Sequence, residues 1–172
     1  MKKPIRTTKF LPGRHSIGVG AGALIINDQN EVLLMKRSSK TRLLKNIWAK
    51  PGGEVHSNET VVNSLKREVM EEIGCEIEVL ELINHVDHIE RKAKQHWVGF
   101  NFLCRITKGT PKNLEPEKCT ELRWFSVDRL PKNCSKEFIL EPVKWFVKKM
   151  KTKTLRTGFP IEGKSHTIDS NV

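Results

Sequence analysis

Apolar residues over positions 60–73 recur at Val62, Leu65, Val69 and Ile73, the three- and four-residue spacing of a helix with one buried face. The spacing predicts a helix over 60–73, with Asn58 as its cap and Gly74 as its stop. Elsewhere the pattern belongs to strands. Residues 17–26 are rich in Gly, Val and Ile and read as a buried strand, 27–30 as a polar turn, and 32–36 as a second strand completing a hairpin. A basic loop with Lys40, Arg42 and Lys45 follows, then Pro51-Gly52-Gly53, where proline biases Lys50 towards extended backbone and the glycines permit a tight turn. Residues 76–89 alternate well enough for one strand or two, 97–106 form a strong strand, 107–118 a loop and 122–127 a last strand. After Leu130-Pro131, residues 137–151 read as a helix with Phe138, Ile139, Trp145, Phe146 and Met150 on its apolar face, kinked or started at Pro142. The order β-β-α-β-β-β-α predicts an α/β fold, a mixed β-sheet sandwiched by helices in a single domain over 16–154. An N-terminal arm over 1–15 and a polar tail over 155–172 flank it.

The first helix also carries Glu68, Glu71 and Glu72 at i, i+3 and i+4, and so on one face. That face is centred roughly 110° around the helix from the apolar stripe, at ~100° per residue. Like charges four residues apart cost an isolated helix about 0.2–0.5 kcal/mol. A hard divalent cation, which takes oxygen ligands, is the natural compensation.

Composition narrows the partners. The chain has 172 residues, 37% hydrophobic and 30% charged, with a net charge of +11. It is long enough to bury a substantial core, and its charge favours polyanionic ligands such as nucleotides or nucleic acid. Much of the excess sits in Lys144, Lys148, Lys149, Lys151, Lys153 and Arg156. A solvated helix end suited to the dipole explains these residues more simply than a nucleic-acid surface, which stays open but is not favoured. Cys75, Cys104, Cys119 and Cys134 show no CxxC pair and three lie in or beside apolar runs, so reduced structural thiols are expected. With no signal-peptide core and no apolar run near the ~18 residues of a membrane span, a cytoplasmic protein with no membrane partner is expected.

The stretch 53–75, GEVHSNETVVNSLKREVMEEIGC, resembles the signature of the Nudix hydrolases: Gly53, five residues, Glu59, seven residues, then Arg67-Glu68-Val69-x-Glu71-Glu72-x-Gly74. Cys75 alone departs, standing where that family prefers an aliphatic residue, a mild change for a small buried thiol. Val32-Leu33-Leu34-x-Lys36-Arg37 and Trp48-x-x-Pro51-Gly52-Gly53 resemble its second strand and its lead-in, and the likeness covers about 17–146. The resemblance implies a Nudix-type α/β/α sandwich and Mg²⁺-dependent hydrolysis of a nucleoside diphosphate linked to another group, with Mn²⁺ able to substitute. It also implies that Glu68, Glu71 and Glu72 bind the metal with the Gly52 carbonyl, and that Glu59 pairs with Arg67 to support a box bounded by Gly53 and Gly74. The general base is then a box glutamate or a loop glutamate, Glu117 in preference to Glu115. Homodimers are frequent in that family.

Around the box, Arg37 and Lys50 are candidates for binding phosphate or are ordinary surface charges. Trp97 and Phe100 either stack on a base or pack in the core. His85 and His88 do not make a shared metal site, because three residues apart on a strand puts them on opposite faces. The segment Asn113-Leu114-Glu115-Pro116-Glu117-Lys118-Cys119, with Leu122-Arg123-Trp124-Phe125 and Leu130-Pro131, resembles MutT-like nucleoside triphosphate diphosphatases, which release the monophosphate and pyrophosphate, some from modified bases. The competing enzyme reading is hydrolysis of ADP-ribose or another nucleoside diphosphate sugar. Against it, residues 87–91 lack the proline those enzymes tend to carry. Diadenosine polyphosphate enzymes favour a downstream tyrosine, and the chain has none. A non-catalytic nucleotide- or RNA-binding module is the alternative of another class.

Overall fold

Alternation along the first strand sends its side chains into two different cores. A computed structural model describes residues 16–41 and 44–154; the arm, the tail and Arg42 lie outside the described residues. In strand β1, Gly18–Ile25, residues Ala21, Ala23 and Ile25 face one cluster and Leu24 the other. Strand β2, Glu31–Arg37, splits likewise, with Leu33 in the first cluster and Val32 and Leu34 in the second.

Between them, Asn27 makes the turn. Its Oδ1 accepts from the amides of Gln29 and Glu31 at 3.0 and 2.8 Å. The expected hairpin nevertheless reduces to one Ile26–Val32 bridge, because the two strands go to different sheets. β1 lies in a four-stranded mixed sheet of order β4-β1-β6-β5, β2 in a three-stranded sheet of order β3-β2-β7. The two strands that sequence periodicity missed are both short: β3, Trp48–Ala49, and β4, Gly52–Glu54. They carry the chain from one sheet to the other, and the Ala23 amide holds the Pro51 carbonyl between them at 2.8 Å.

Helix α1, Val61–Ile73, runs as its periodicity requires, burying Leu65, Val69 and Ile73 under the first sheet. Its cap is Thr60 rather than Asn58: the Thr60 hydroxyl accepts from the Asn63 amide at 3.1 Å, whereas Asn58 turns the preceding loop at φ 65°. Gly74 ends the helix in the left-handed region, its amide donating to Met70 at 3.0 Å. Residues 76–89 form a single strand, β5, Glu76–Glu90, antiparallel to β6, Gln95–Lys108, with register shifts near Val79 and Leu82. β6 in turn runs parallel to β1. After β7, Cys119–Ser126, a π-helical turn over Lys136–Leu140 leads into α2, Glu141–Thr154, so Pro142 marks the change from one helical form to the other, and the Phe138 carbonyl four residues before it accepts from Lys50. Ile139, Val143 and Phe146 close the second cluster. The result is the three-layer α/β/α arrangement, with α1 on one side of the strands and α2 on the other. Among the described residues no helix is long and apolar enough to cross a membrane. All four cysteines are free thiols.

Candidate active site

The turn at Gly52-Gly53 is built against the carboxylates of α1. Gly52 has φ 139°, and a Cβ there would overlap the Ala21 carbonyl; one at Gly53 would overlap the Glu68 carboxylate. The Gly52 amide donates to Glu72 Oε2 at 2.8 Å. Only backbone this bare lets the turn and the helix face approach so closely.

Arg67 organises the rest of that face. It grips Glu59 with Nε to Oε1 at 2.8 Å and Nη2 to Oε2 at 3.0 Å, donates to the Glu54 carbonyl at 3.1 Å, and reaches Glu68 at 2.7 Å and Glu71 at 3.1 Å through Nη1. These bonds hold the Glu59 carboxyl down at about 2 and raise the Arg67 guanidinium further. Glu72 is the opposite case. It is buried, and desolvation pushes its carboxyl up to about 8, with Glu68 and Glu115 adding to the rise against the Gly52 amide and Arg37.

Glu68, Glu71 and Glu72 thus share a face but point differently: Glu68 to Gly53, Glu72 to the Gly52 amide, Glu71 outwards with its side chain 53% exposed. Among the described residues no three acidic, histidine or cysteine side chains converge as a finished cation cage, since Arg67 draws Glu68 and Glu71 to itself. In chemistry the set suits a hard cation. All its donors are oxygens, and a buried carboxylate crowded by others is what a divalent charge stabilises.

Of the two loop carboxylates, the structure brings Glu115 to this face. Leu114 donates its amide to the Glu72 carbonyl at 3.0 Å and Lys112 to that of Ile73 at 3.1 Å, which ties the loop to the end of α1. Glu115 acts on the charges of both Glu72 and Arg37 and pairs with Lys118 at 2.6 Å. Glu117, the residue preferred from sequence, is turned away. Its side chain is 79% exposed and pairs with Lys40 at 2.5 Å, while its carbonyl accepts from Ser38. Three residues past the Leu114 tether, the chain has already left the helix.

A cleft of about 160 Å³ opens beside the turn, and Arg37, Lys50 and Trp97 line it. Arg37 sits at a register shift closing β2; burial lowers its pKa against the pull of Glu72. Lys50 is not the surface charge sequence allowed for. It is 8% exposed, donates to Asn101 Oδ1 and to the Phe138 carbonyl (2.8 Å), and is lowered to about 7 by desolvation. Trp97 and Phe100, three apart on β6, take opposite faces. Trp97 lies on the cleft face, over Gly18. The Phe100 ring packs beside Phe102 and His85 against the α1 core, the packing alternative of the sequence reading, although the residue is also among those lining the cleft. His88 pairs across the ladder with Trp97 and His85 with Phe100, so the two histidines do lie on opposite faces. Sequence reasoning missed Asn101, Asn84, His88 and Phe138 as neighbours of the cleft. The available signal was Asn101, a polar residue inside the apolar run Phe100–Cys104.

The family model described as the NUDIX domain matches residues 17–146. The 8-oxo-dGTP diphosphatase of Buchnera aphidicola is 36% identical over 89 residues, 49% of this chain and 68% of that protein. The ADP-ribose pyrophosphatase of Methanocaldococcus jannaschii is 32% identical over 108 residues, 63% of this chain and 62% of that one. Longer relatives from Caenorhabditis elegans and Homo sapiens are matched over only 30% and 32% of their lengths. Among solved structures, the MutT NUDIX hydrolase of Burkholderia pseudomallei superposes with a TM-score of 0.68 at 34% identity, covering 74% of this chain and 96% of that one. A signature-bearing helix on a glycine turn, a matching family model and this agreement of folds lead to one conclusion: the chain belongs to the Nudix domain family, among its MutT-like members.

Proposed function

We propose that the protein hydrolyses nucleoside triphosphates to the monophosphate and pyrophosphate in a Mg²⁺-dependent reaction. The observation that carries this reading is the α1 face itself: three glutamates on one helical side, Glu68 and Glu71 clamped by Arg67 and Glu72 held by the Gly52 amide of the turn, beside a cleft. Glu68, Glu71 and Glu72 are the oxygen ligands of Mg²⁺, or Mn²⁺ in its place, with the Gly52 carbonyl as a further one. The bound cation offsets phosphate charge that would otherwise repel an attacking water. Glu59 and Arg67 hold the loop to the helix, and Arg37, at the cleft, takes phosphate oxygens. We assign acceptance of the water's proton to Glu115, on the support of its nearness to Glu72. Trp97 is the ring available to a base.

One relative is an ADP-ribose pyrophosphatase, which supports cleavage of a nucleoside diphosphate sugar as a second reading. Binding of RNA through α2 has less support, since Lys144 and Lys149 are engaged by Glu141 and Glu81. The deciding experiment incubates the full chain with Mg²⁺ and a panel of triphosphates, dinucleotides and sugar nucleotides, identifies both products, and repeats the assay with Glu71→Gln and Glu72→Gln. Pyrophosphate release lost in both variants is the expected result. No turnover of any compound with Mg²⁺ or Mn²⁺ would end the enzyme reading.

A further inference from the structure

Lys50 is a buried cation that the carboxylate chemistry leaves unused. Its aliphatic stem passes over Gly22 of β1, where any Cβ would collide with it. Its ammonium donates to Asn101 Oδ1 and the Phe138 carbonyl, and Asn101, itself 1% exposed, donates from Nδ2 to Asn84 Oδ1 at 2.6 Å. A polar line therefore runs from β5 through β6 to the residue just before the catalytic turn. No carboxylate is among these bonds, and a lysine at an enclosed site with only neutral acceptors is costly unless something else uses its charge. An ammonium carries three N–H groups, and among the described residues Asn101 and Phe138 take two.

The surroundings define what could take the third. Gly20 and Gly22 of β1 register with Gly99 and Asn101 of β6; the Lys50 stem covers Gly22, the Phe138 ring covers Gly99 and the Gly53 carbonyl approaches Gly20, so these glycines make room for the groups that wall the cleft. The rings of Trp97 and Phe138 stand at its sides: each fills the space left by a glycine, Gly18 and Gly99 respectively. Aromatic walls suit a planar ring, and an N–H beside them suits an acceptor on that ring's edge.

We propose that Lys50 is a specificity-determining residue, its remaining N–H directed to the O6/N7 acceptor edge of a guanine-type base and against adenine. Guanine presents two adjacent acceptors there, whereas adenine sets an N6 amino donor beside N7, facing the ammonium. Asn101 and Asn84 are positioning residues that hold the ammonium in place. The inference rests on the reading that the cleft takes nucleotides, and adds which base it selects.

The test measures binding apart from turnover. Full-length protein is titrated calorimetrically with dGMP, dIMP and dAMP in EDTA, and kcat/KM is then measured for dGTP, dITP and dATP with Mg²⁺. Wild type should bind dGMP and dIMP about tenfold more tightly than dAMP. Lys50→Met should abolish the difference by weakening the two keto purines alone. Should Lys50→Met not fold, Asn84→Ala, which loosens Asn101 from a distance, should narrow the ratio through KM with kcat retained. Equal affinities in wild type, no purine binding at all, or an unchanged ratio in both variants overturns the proposal. Keto-purine selection without turnover of any triphosphate would sink the hydrolase reading and leave Lys50 standing; turnover without base selection would do the reverse.

Discussion

Arg67 and Glu59, eight residues apart, meet through two parallel hydrogen bonds of 2.8 and 3.0 Å. The pair fastens the loop leading into α1 to the second turn of that helix, and the same guanidinium spreads to Glu68 and Glu71. A planar fork with five donors can serve loop and carboxylates together; an ammonium cannot.

Arg67→Lys should therefore keep the charge and lose the geometry. We expect kcat/KM to fall by about 10- to 100-fold, with more Mg²⁺ needed for half-maximal rate, as when a group supporting metal ligands is removed. Far-ultraviolet circular dichroism should stay that of the wild type. Wild-type metal dependence in this variant would mean that charge alone matters.

Glu59 also sets an acid-side signature. The Arg67 hydrogen bonds foremost, with the His56 amide, hold its carboxyl at about 2, down from 4.5. A depressed folded-state value means that the unfolded chain takes up the proton first, so the contribution is complete above about pH 4.5 and lost as pH falls through about 2. In urea unfolding, the gap between wild type and Glu59→Gln should be widest above pH 4.5 and shrink steadily towards pH 2.5. A gap independent of pH would contradict the pairing.

At Gly53 the constraint is space. Because a Cβ there would overlap the Glu68 carboxylate, Gly53→Ala must displace Glu68, the turn, or both. A misplacement of the order of an ångström costs about a hundredfold in rate. Turnover should fall by that much, and by more than the loss of stability in urea accounts for. Near-wild-type turnover in the alanine variant would show that Glu68 need not sit against the turn.

The loop carboxylates separate cleanly. Glu115→Gln should lower kcat by about 10²- to 10⁴-fold, the range for losing a general base. Glu117→Gln, altering an exposed ion pair with Lys40, should leave kcat unchanged. The reverse ranking in steady-state assays would return the role to Glu117.

Much of the site was legible because its geometry is local. Glu68, Glu71 and Glu72 share a face wherever a helix forms, the stripe from Val62 to Ile73 ensures that it forms, and Gly74 ends it. The opposite orientations of Trp97 and Phe100 follow from strand parity, and the odd spacing alone contained that answer. What lay beyond the sequence depends on partners far along the chain. That β1 and β2 part into different sheets is decided by β6 and β7, which claim their edges. Glu115 rather than Glu117 approaches Glu72 because the amide of Leu114 finds a carbonyl at the free end of α1, where the helix leaves it without a partner. Lys50 is buried only because Asn101 and Phe138 arrive from 51 and 88 residues away with acceptors for it. Local spacing determined which residues could do chemistry. Long-range packing decided which of them face the cleft, because burial and hydrogen-bond partnership are properties of the assembled strands and not of any one stretch.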